Sequence, residues 1–185
     1  MSFASGRRTM RTVHEERYSD GHLKLRVNYA DVKLDGLSEE WYDNGQLRER
    51  ATYKNGKIEG QYKVWHKNGQ LALRANYKNG NLEGLFKRWN KNGELTFCAN
   101  YKNGIRDGLC ESFDDDGKLC ERSNYKNGEL DGPYEEWHKN GQMRRSINYK
   151  MGEPDGICEE WDENGKLLER SMYKTGIEVE FVKKK

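Results

Sequence analysis

Proline, histidine and long apolar runs are scarce in this chain of 185 residues. It has two prolines and four histidines, and no apolar run approaches the roughly 20 residues that span a bilayer. The four cysteines form no CxxC pair, and the first residues lack the apolar stretch of a secretory signal. We therefore expect an intracellular protein of a reducing compartment, cytoplasmic or associated with a particle, with unpaired thiols.

Charge excess and catalytic motifs are also missing. The chain carries 33 basic and 31 acidic side chains, a formal net charge of +2, which argues against a nucleic-acid partner and disfavours binding to membrane lipid. Phosphate-binding glycine loops and a Gly-x-Ser-x-Gly elbow do not occur. The paired glutamates recur at one repeat position, as on a solvated strand. The sequence thus predicts no enzyme, no cofactor and no metal site.

What the sequence does contain is a regular repeat of 24 residues. The segment from Gly36 to Glu59 returns from Gly60 onward, and four further copies follow. Aromatic residues mark two ladders through the copies. The first ladder comprises Trp41, Trp65, Trp89, Phe113, Trp137 and Trp161, and the second comprises Tyr53, Tyr77, Tyr101, Tyr125 and Tyr149. Such regularity indicates one supersecondary unit that is stacked many times.

The copies define four segments of the chain. We predict a frayed or disordered lead-in over residues 1–11, a degenerate capping copy over 12–35, six repeats over 36–179 and a basic tail over 180–185. Arg17 stands where later copies carry Trp or Phe. That departure is expected of a cap, whose outer side faces water.

Each copy reads as two short strands with two glycine-centred turns, Asp43-Asn44-Gly45 and Lys54-Asn55-Gly56 in the first good copy. A two-residue turn at Asn44-Gly45 would place Trp41 opposite Arg48. A three-residue loop with Gly45 left-handed in a bulge places it opposite Leu47, which we favour. Because side chains alternate, this register predicts one apolar face of odd-numbered residues and one polar face of even-numbered residues.

The repeat G-x-Y-x-x-W-x-x-N-G-x-L-x-x-x-x-x-Y-K-N-G-x-x-x-G is clearest from Gly60 to Gly84 and from Gly132 to Gly156. It resembles the MORN repeat, and more narrowly the 24-residue variant of bacterial and large-virus proteins that is often labelled antitoxin-like. The resemblance implies an all-β fold, an elongated, curved antiparallel meander of successive hairpins without notable helices. It also implies scaffolding, partner binding and sometimes membrane association. Copy four departs from the pattern at Phe113 and its acidic turn.

Two sets of residues are candidates for a specific surface. The aromatic ladders either close together as the interior of a curled sheet or line an open groove for a partner peptide or helix. On the predicted polar face, Cys98 and Cys120 are expected diagonal to Cys110, about 7 to 8 Å away, which is too far for an unstrained disulfide. We interpret these cysteines as packed side chains, with a redox or metal role as the alternative. Three further aromatics replace Ser or Cys on that face: Tyr62, Phe86 and Tyr134.

These observations predict a non-enzymatic scaffold that binds a protein partner along its aromatic groove or variable face. An antitoxin or immunity-like protein that sequesters one toxin is the second hypothesis, and a component of a larger particle or a membrane-associated adaptor is the third. Edge strands at both ends of the array would also permit end-to-end self-association.

Overall fold

The computed structural model describes the backbone of residues 9–183 and the side chains of residues 9–181. Most of the predicted lead-in, residues 1–8, and the last two residues of the predicted basic tail lie outside that range. The described backbone contains strands and turns and no helix. It accordingly has no helix long and apolar enough to cross a membrane.

The chain divides into two compact units, one up to Asn81 and the other from Leu82 onward. The short strand β7 (Asn81–Leu82) lies at the division. Unit 1 contains β1 (Arg11–Arg17), β2 (Leu23–Ala30), β3 (Lys33–Trp41), β4 (Leu47–Lys54), β5 (Lys57–Trp65) and β6 (Leu71–Lys78). Unit 2 contains β8 (Gly84–Trp89), β9 (Leu95–Lys102), β10 (Ile105–Phe113), β11 (Leu119–Lys126), β12 (Glu129–Trp137), β13 (Met143–Lys150), β14 (Glu153–Trp161), β15 (Leu167–Lys174) and β16 (Ile177–Lys183).

Inside each unit, every strand pairs antiparallel with the strands before and after it in the chain. The predicted all-β meander of hairpins is therefore confirmed. The predicted capping segment contains β1 and β2, and the side chains of β1 are exposed along its whole length.

The first turn of each copy has the predicted three-residue loop. In unit 1, the Gly45 amide donates to the Tyr42 carbonyl at 2.9 Å, and the Tyr42 amide donates to the Gln46 carbonyl at 2.8 Å. Gly45 has a φ of 80°, the left-handed conformation that glycine adopts without steric cost. Trp41 consequently lies opposite Leu47, so the predicted pairing at the loop is confirmed.

The second turn is a two-residue Asn-Gly turn with both residues left-handed. Asn55 has a φ of 52° and Gly56 a φ of 82°, as expected of a type I′ hairpin turn. The Gly56 amide donates to the Leu34 carbonyl at 2.7 Å, and the Asn55 amide donates to Asp35 Oδ2 at 3.1 Å. Each such turn is thus hydrogen-bonded to the first strand of the hairpin that precedes it.

The predicted assignment of residues to faces is wrong, because the register shifts by one residue just beyond the loop. Trp41 pairs with Leu47, but the next pair is Glu40 with Glu49, which leaves Arg48 as an extra residue in a bulge. Side chains alternate along a strand, so a shift of one residue exchanges the faces of everything beyond it. Ser38, rather than Leu37, is therefore the partner of Ala51.

The resulting faces mix odd and even residues. We call one the tyrosine face, since it carries the Tyr ladder together with the even positions of β3 and its equivalents. In unit 1 it includes Val27, Ser38, Ala51, Tyr62 and Ala75, which pair consecutively across the strands. The other, the tryptophan face, carries the Trp ladder and the ion pairs described below.

The core of each unit is this row of consecutive partners on the tyrosine face. Ala51 and Ala75 are 0% exposed in unit 1, and Ala99 is likewise 0% exposed in unit 2. In unit 2 the row continues from strand to strand through Cys110, Ser123, Tyr134, Ile147, Cys158 and Ser171. Ala or Ser, with Val27 and Ile147 as the larger exceptions, alternates along the row with residues that vary more between copies.

Neither unit closes around its aromatic residues. All strand pairs with substantial contacts are neighbours along the chain, and the Trp ladder is half-buried rather than enclosed. Of the two alternatives for the aromatic ladders, the closed interior is therefore wrong within each unit. Both faces of the described strands lack a second layer.

Candidate functional site

The three aromatics that interrupt the predicted polar face belong to the tyrosine face. Tyr62 packs edge-to-face on Tyr77 with ring centroids 5.8 Å apart, and Tyr134 does the same on Tyr149 at 5.9 Å. Phe86 contacts Tyr101 at 5.9 Å. These contacts explain how each ring is held, since offset edge-to-face pairs are favourable beyond their burial. Their role in binding stays a prediction.

Two tyrosine hydroxyls on this face are hydrogen-bonded to neighbouring carboxylates. The Tyr134 hydroxyl donates to Glu136 Oε1 at 2.7 Å. Burial, reinforced by hydrogen bonding to this carboxylate, raises the pKa of Tyr134. Burial and a hydrogen bond to Glu49 similarly raise the pKa of Tyr62. Both phenols are therefore neutral donors rather than nucleophiles at ordinary pH.

The predicted cysteine cluster is divided between the two faces. Cys110 pairs with Ala99 and Ser123 on the tyrosine face, whereas Cys98 pairs with Glu111 on the tryptophan face. Cys120 is the extra residue of the bulge beside Glu121, where its Sγ approaches the Lys118 carbonyl at 3.6 Å. The predicted diagonal contact of Cys98 with Cys110 is thus wrong, for the same one-residue shift. All four cysteines are unpaired thiols.

Thiol alkylation should separate the cysteines by burial. Cys110 is 3% exposed and Cys158 7% exposed, while Cys98 and Cys120 are half-buried. Burial raises the pKa of the Cys98, Cys110 and Cys120 thiols, so little reactive thiolate is present at pH 7. We expect iodoacetamide to modify Cys98 and Cys120 slowly and to spare the other two until denaturant is added. Peptide mass spectrometry over time tests this, and early labelling of Cys110 would contradict the burial.

The tryptophan face repeats one ion pair from copy to copy. Arg50 Nη2 lies 2.6 Å from Glu39 Oε1, and the Glu39 carboxylate is almost completely buried. Equivalent pairs join Arg26 to Glu15, Arg122 to Glu111 and Arg170 to Glu159. The Arg122 guanidinium also lies 5.6 Å from the centre of the Trp137 ring. Because this partly buried ion pair recurs at one repeat position, it stabilises the pairing of adjacent strands. It does not mark a site that is specific to one copy.

Backbone carbonyls of the Trp ladder accept hydrogen bonds from the preceding copy. Tyr42 Oη donates to the Trp65 carbonyl at 2.8 Å in unit 1, and His138 Nε2 bonds to the Trp161 carbonyl at 2.8 Å in unit 2. The latter contact accounts for a histidine at this repeat position. Over residues 9–183 the structure holds no group of three or more His, Cys, Asp or Glu side chains placed to bind a metal ion.

Sequence reasoning missed a cluster of arginine and aromatic side chains on the tyrosine face of unit 2. Arg88 and Ser112 both pair with Phe97, and Arg106 pairs with Tyr101. With the predicted faces, Arg88 and Phe97 fell on opposite sides of the sheet. Only the observed register places Arg88 beside Phe97. The sequence did show that both residues differ from those at the equivalent positions of other copies.

One position of the tyrosine face differs strongly between copies. The position of the core row that pairs with Ala51 and its equivalents is occupied by Ser38, Tyr62, Phe86, Cys110, Tyr134 and Cys158 in successive copies. The tryptophan face instead keeps its aromatic residue in every full copy. The tyrosine face is therefore a surface on which one stretch of the array differs from another.

Comparison with known families agrees with this architecture. A family model described as the MORN repeat variant matches six consecutive segments, residues 34–55, 58–79, 82–103, 106–127, 130–151 and 154–175. Repeats of this kind are in general non-catalytic scaffolds that bind proteins or membranes. A search of curated proteins found no match.

Proposed function

This chain belongs to the MORN repeat variant family, and from that membership we propose that it is a non-enzymatic scaffold whose tyrosine face binds a protein partner. The observation that carries the proposal is the row of unlike residues at equivalent positions, from Ser38 through Tyr62 and Phe86 to Cys158. A repeat that served packing alone would keep similar residues there, as it keeps Trp or Phe at the ladder position of the other face. Aromatic side chains at such a surface supply much of the energy of protein contacts.

The chemistry of the tyrosine face supports binding rather than catalysis. The Tyr134 hydroxyl is hydrogen-bonded to a carboxylate, and the Tyr62 and Tyr134 rings are held by edge-to-face contacts. A half-buried ring in a fixed orientation loses little entropy when a partner covers it. We further propose a reducing compartment as its location, which the four unpaired thiols support.

Photo-crosslinking from neighbouring positions tests the proposal. We would place p-benzoylphenylalanine at Phe86 or at Leu85, in the full chain, within an extract of its source cells. Phe86 faces Ala99 on the tyrosine face, whereas Leu85 is 40% exposed and faces Asn100 on the tryptophan face. We expect a discrete protein adduct from position 86 and none of comparable yield from position 85.

Two results would count against the proposed function. Equal adducts from both positions would show no preference for the tyrosine face, and adducts with lipid in place of protein would indicate a membrane scaffold. Circular dichroism of both variants confirms that each remains folded before exposure to light.

A further inference from the structure

Two arginines and two phenylalanines form a compact patch on the tyrosine face of unit 2. The Arg88 guanidinium lies 5.6 Å from the centre of the Phe97 ring, and the Arg106 guanidinium lies 5.5 Å from the same centre. Phe86 packs edge-to-face on Phe97 at 5.9 Å. Arg88 is exposed, and the other three side chains are half-buried. We call these four residues the Phe97 patch.

Neighbouring tyrosines hold Arg106 in place. Its Nη1 donates to the Tyr125 hydroxyl at 3.2 Å, and its guanidinium lies 5.2 Å from the centre of that ring. Hydrogen bonding to the Tyr101 side chain raises the pKa of Arg106, so the group is charged at any physiological pH. A guanidinium fixed in this way loses less side-chain entropy when it binds an anion.

The positive charge of the patch has no carboxylate counterpart within the described residues. Neither Arg88 nor Arg106 forms a salt bridge there, in contrast to Arg50, Arg122 and Arg170. The paired positions of the tyrosine face on β8, β9 and β10 include no acidic residue at all. Two guanidiniums stacked on aromatic rings but without an anion are suited to receive one from a partner.

The patch is not a requirement of the repeat. At the position of Phe97 the neighbouring copies carry Leu73 and Glu121. At the position of Arg106 they carry Leu82 and Leu130, and at that of Arg88 they carry Val64 and Ser112. Because those copies fold into the same hairpins, the charged residues of this copy are not needed for the fold. Their combination therefore points to a contact outside the chain.

We propose that the Phe97 patch binds an acidic segment of a protein partner, with Asp or Glu carboxylates on Arg88 and Arg106 and an apolar side chain on Phe97. The proposal rests on the proposed function and specifies the chemistry of the partner. Three strands span about 10 Å, the width of one extended peptide rather than of a bilayer surface. The tyrosine face beyond the patch carries Glu121 and Glu136, which would repel a flat anionic membrane laid across unit 2.

Fluorescence anisotropy of the full chain with a defined probe tests this inference. The probe is a fluorescein-labelled peptide of alternating glutamate and serine with one central leucine, and a lysine version serves as the opposite-charge probe. We expect the acidic peptide to bind, and the affinity to fall as salt rises. Arg88→Ala combined with Arg106→Ala should weaken binding at least about tenfold, since each charge-assisted pair contributes more than a neutral hydrogen bond.

A matched double variant removes the same charge from the other face. Lys63→Ala combined with Arg74→Ala deletes two positive charges on the tryptophan face of unit 1, where these residues pair with each other. Peptide affinity should stay within about twofold of the unmodified chain, because surface charges outside the contact act weakly through screened water. The single substitution Arg88→Glu, at an exposed position, provides a second test of peptide affinity that leaves the half-buried Arg106 unchanged.

Several outcomes would overturn the proposal. These are equal loss in the two double variants, no loss with Arg88→Glu, preference for the lysine probe, or no binding of the acidic probe. Sedimentation with phosphatidylserine vesicles that depends on Arg88 and Arg106, without peptide binding, would assign the patch to lipid instead. If crosslinking from position 86 still yields a protein adduct while the peptide fails, the proposed function stands and the acidic-partner inference falls.

Discussion

Replacing Ala51 with aspartate is expected to lower the free energy of unfolding by about 3 kcal/mol, because a carboxylate would be buried without a partner. Ala51 is 0% exposed and pairs with Ser38 on one side and Tyr62 on the other. Neither neighbour carries a positive charge that could compensate the new carboxylate. Urea unfolding of the full chain, followed by circular dichroism and tryptophan fluorescence, measures the loss.

The adjacent residue provides the control. Thr52→Asp introduces the same carboxylate one position along β4, where the side chain is exposed on the tryptophan face. Its effect should stay within about 0.5 kcal/mol, as for most surface substitutions. If both variants lost equal stability, the row of small residues on the tyrosine face would not be the core of unit 1. If the unfolding midpoint shifted in only one of the two signals, circular dichroism or tryptophan fluorescence, the array would not unfold in one step.

Gly36→Ala is expected to cost about 3 kcal/mol, from backbone strain together with a close contact. Gly36 has a φ of 118° inside β3. A methyl group there would lie 3.0 Å from Asn28 Cβ on the neighbouring strand. That neighbour is held by its side-chain amide, which donates to the Leu37 carbonyl at 2.6 Å. The strand therefore cannot move aside without losing a hydrogen bond.

The equivalent glycine of the next copy separates strain from contact. Gly60 also has a positive φ, 85°, but a methyl group there would meet nothing within 4 Å. Gly60→Ala should therefore cost about 1 to 2 kcal/mol, the strain of the left-handed conformation alone. Thermal and urea unfolding of both variants measure the difference. Equal losses would mean that the contact with Asn28 relaxes freely.

The turns were predictable from the sequence because their chemistry is local. Asn55-Gly56 can adopt two consecutive left-handed conformations, and Gly45 closes a three-residue loop, so both turns follow from residues next to each other. The family resemblance and the all-β fold follow from the same regular spacing. None of these inferences depends on which way a distant side chain points.

The faces were not predictable from the loop alone, because a bulge one residue beyond it reverses them. Arg48 is not a residue type that marks a bulge, and the even period of 24 residues repeats the same error in every copy. The glycine inside the strand, Gly36, marks a different irregularity, on the side of β3 that pairs with β2, where the register shifts between the pairs Val27–Ser38 and Tyr29–Leu34. It therefore gave no warning of the bulge at Arg48, which lies on the other side of β3.

The candidate site shows the same division. Tyr62, Phe86 and Tyr134 stood out because they differ from their equivalents, and difference can be seen without a structure. Which residues lie beside them depends on pairing across strands, and the one-residue shift separated Cys98 from Cys110 while it joined Arg88 to Phe97. Comparison of the copies therefore located the variable positions, whereas the register of the strands determines which residues lie beside them.

The hydrogen bond that joins each Asn-Gly turn to the preceding hairpin makes one copy a self-contained cassette. In unit 2 the Gly104 amide donates to the Leu82 carbonyl at 2.8 Å, so the bond begins and ends within a single period. Phe86, Arg88 and Phe97 lie inside that same span, and Arg106 lies two residues beyond its end. Duplication or exchange of the segment from Leu82 to Arg106 would thus carry the whole Phe97 patch along with the bond that seats it. An array built in this way can acquire, move or lose a binding specificity in steps of one repeat.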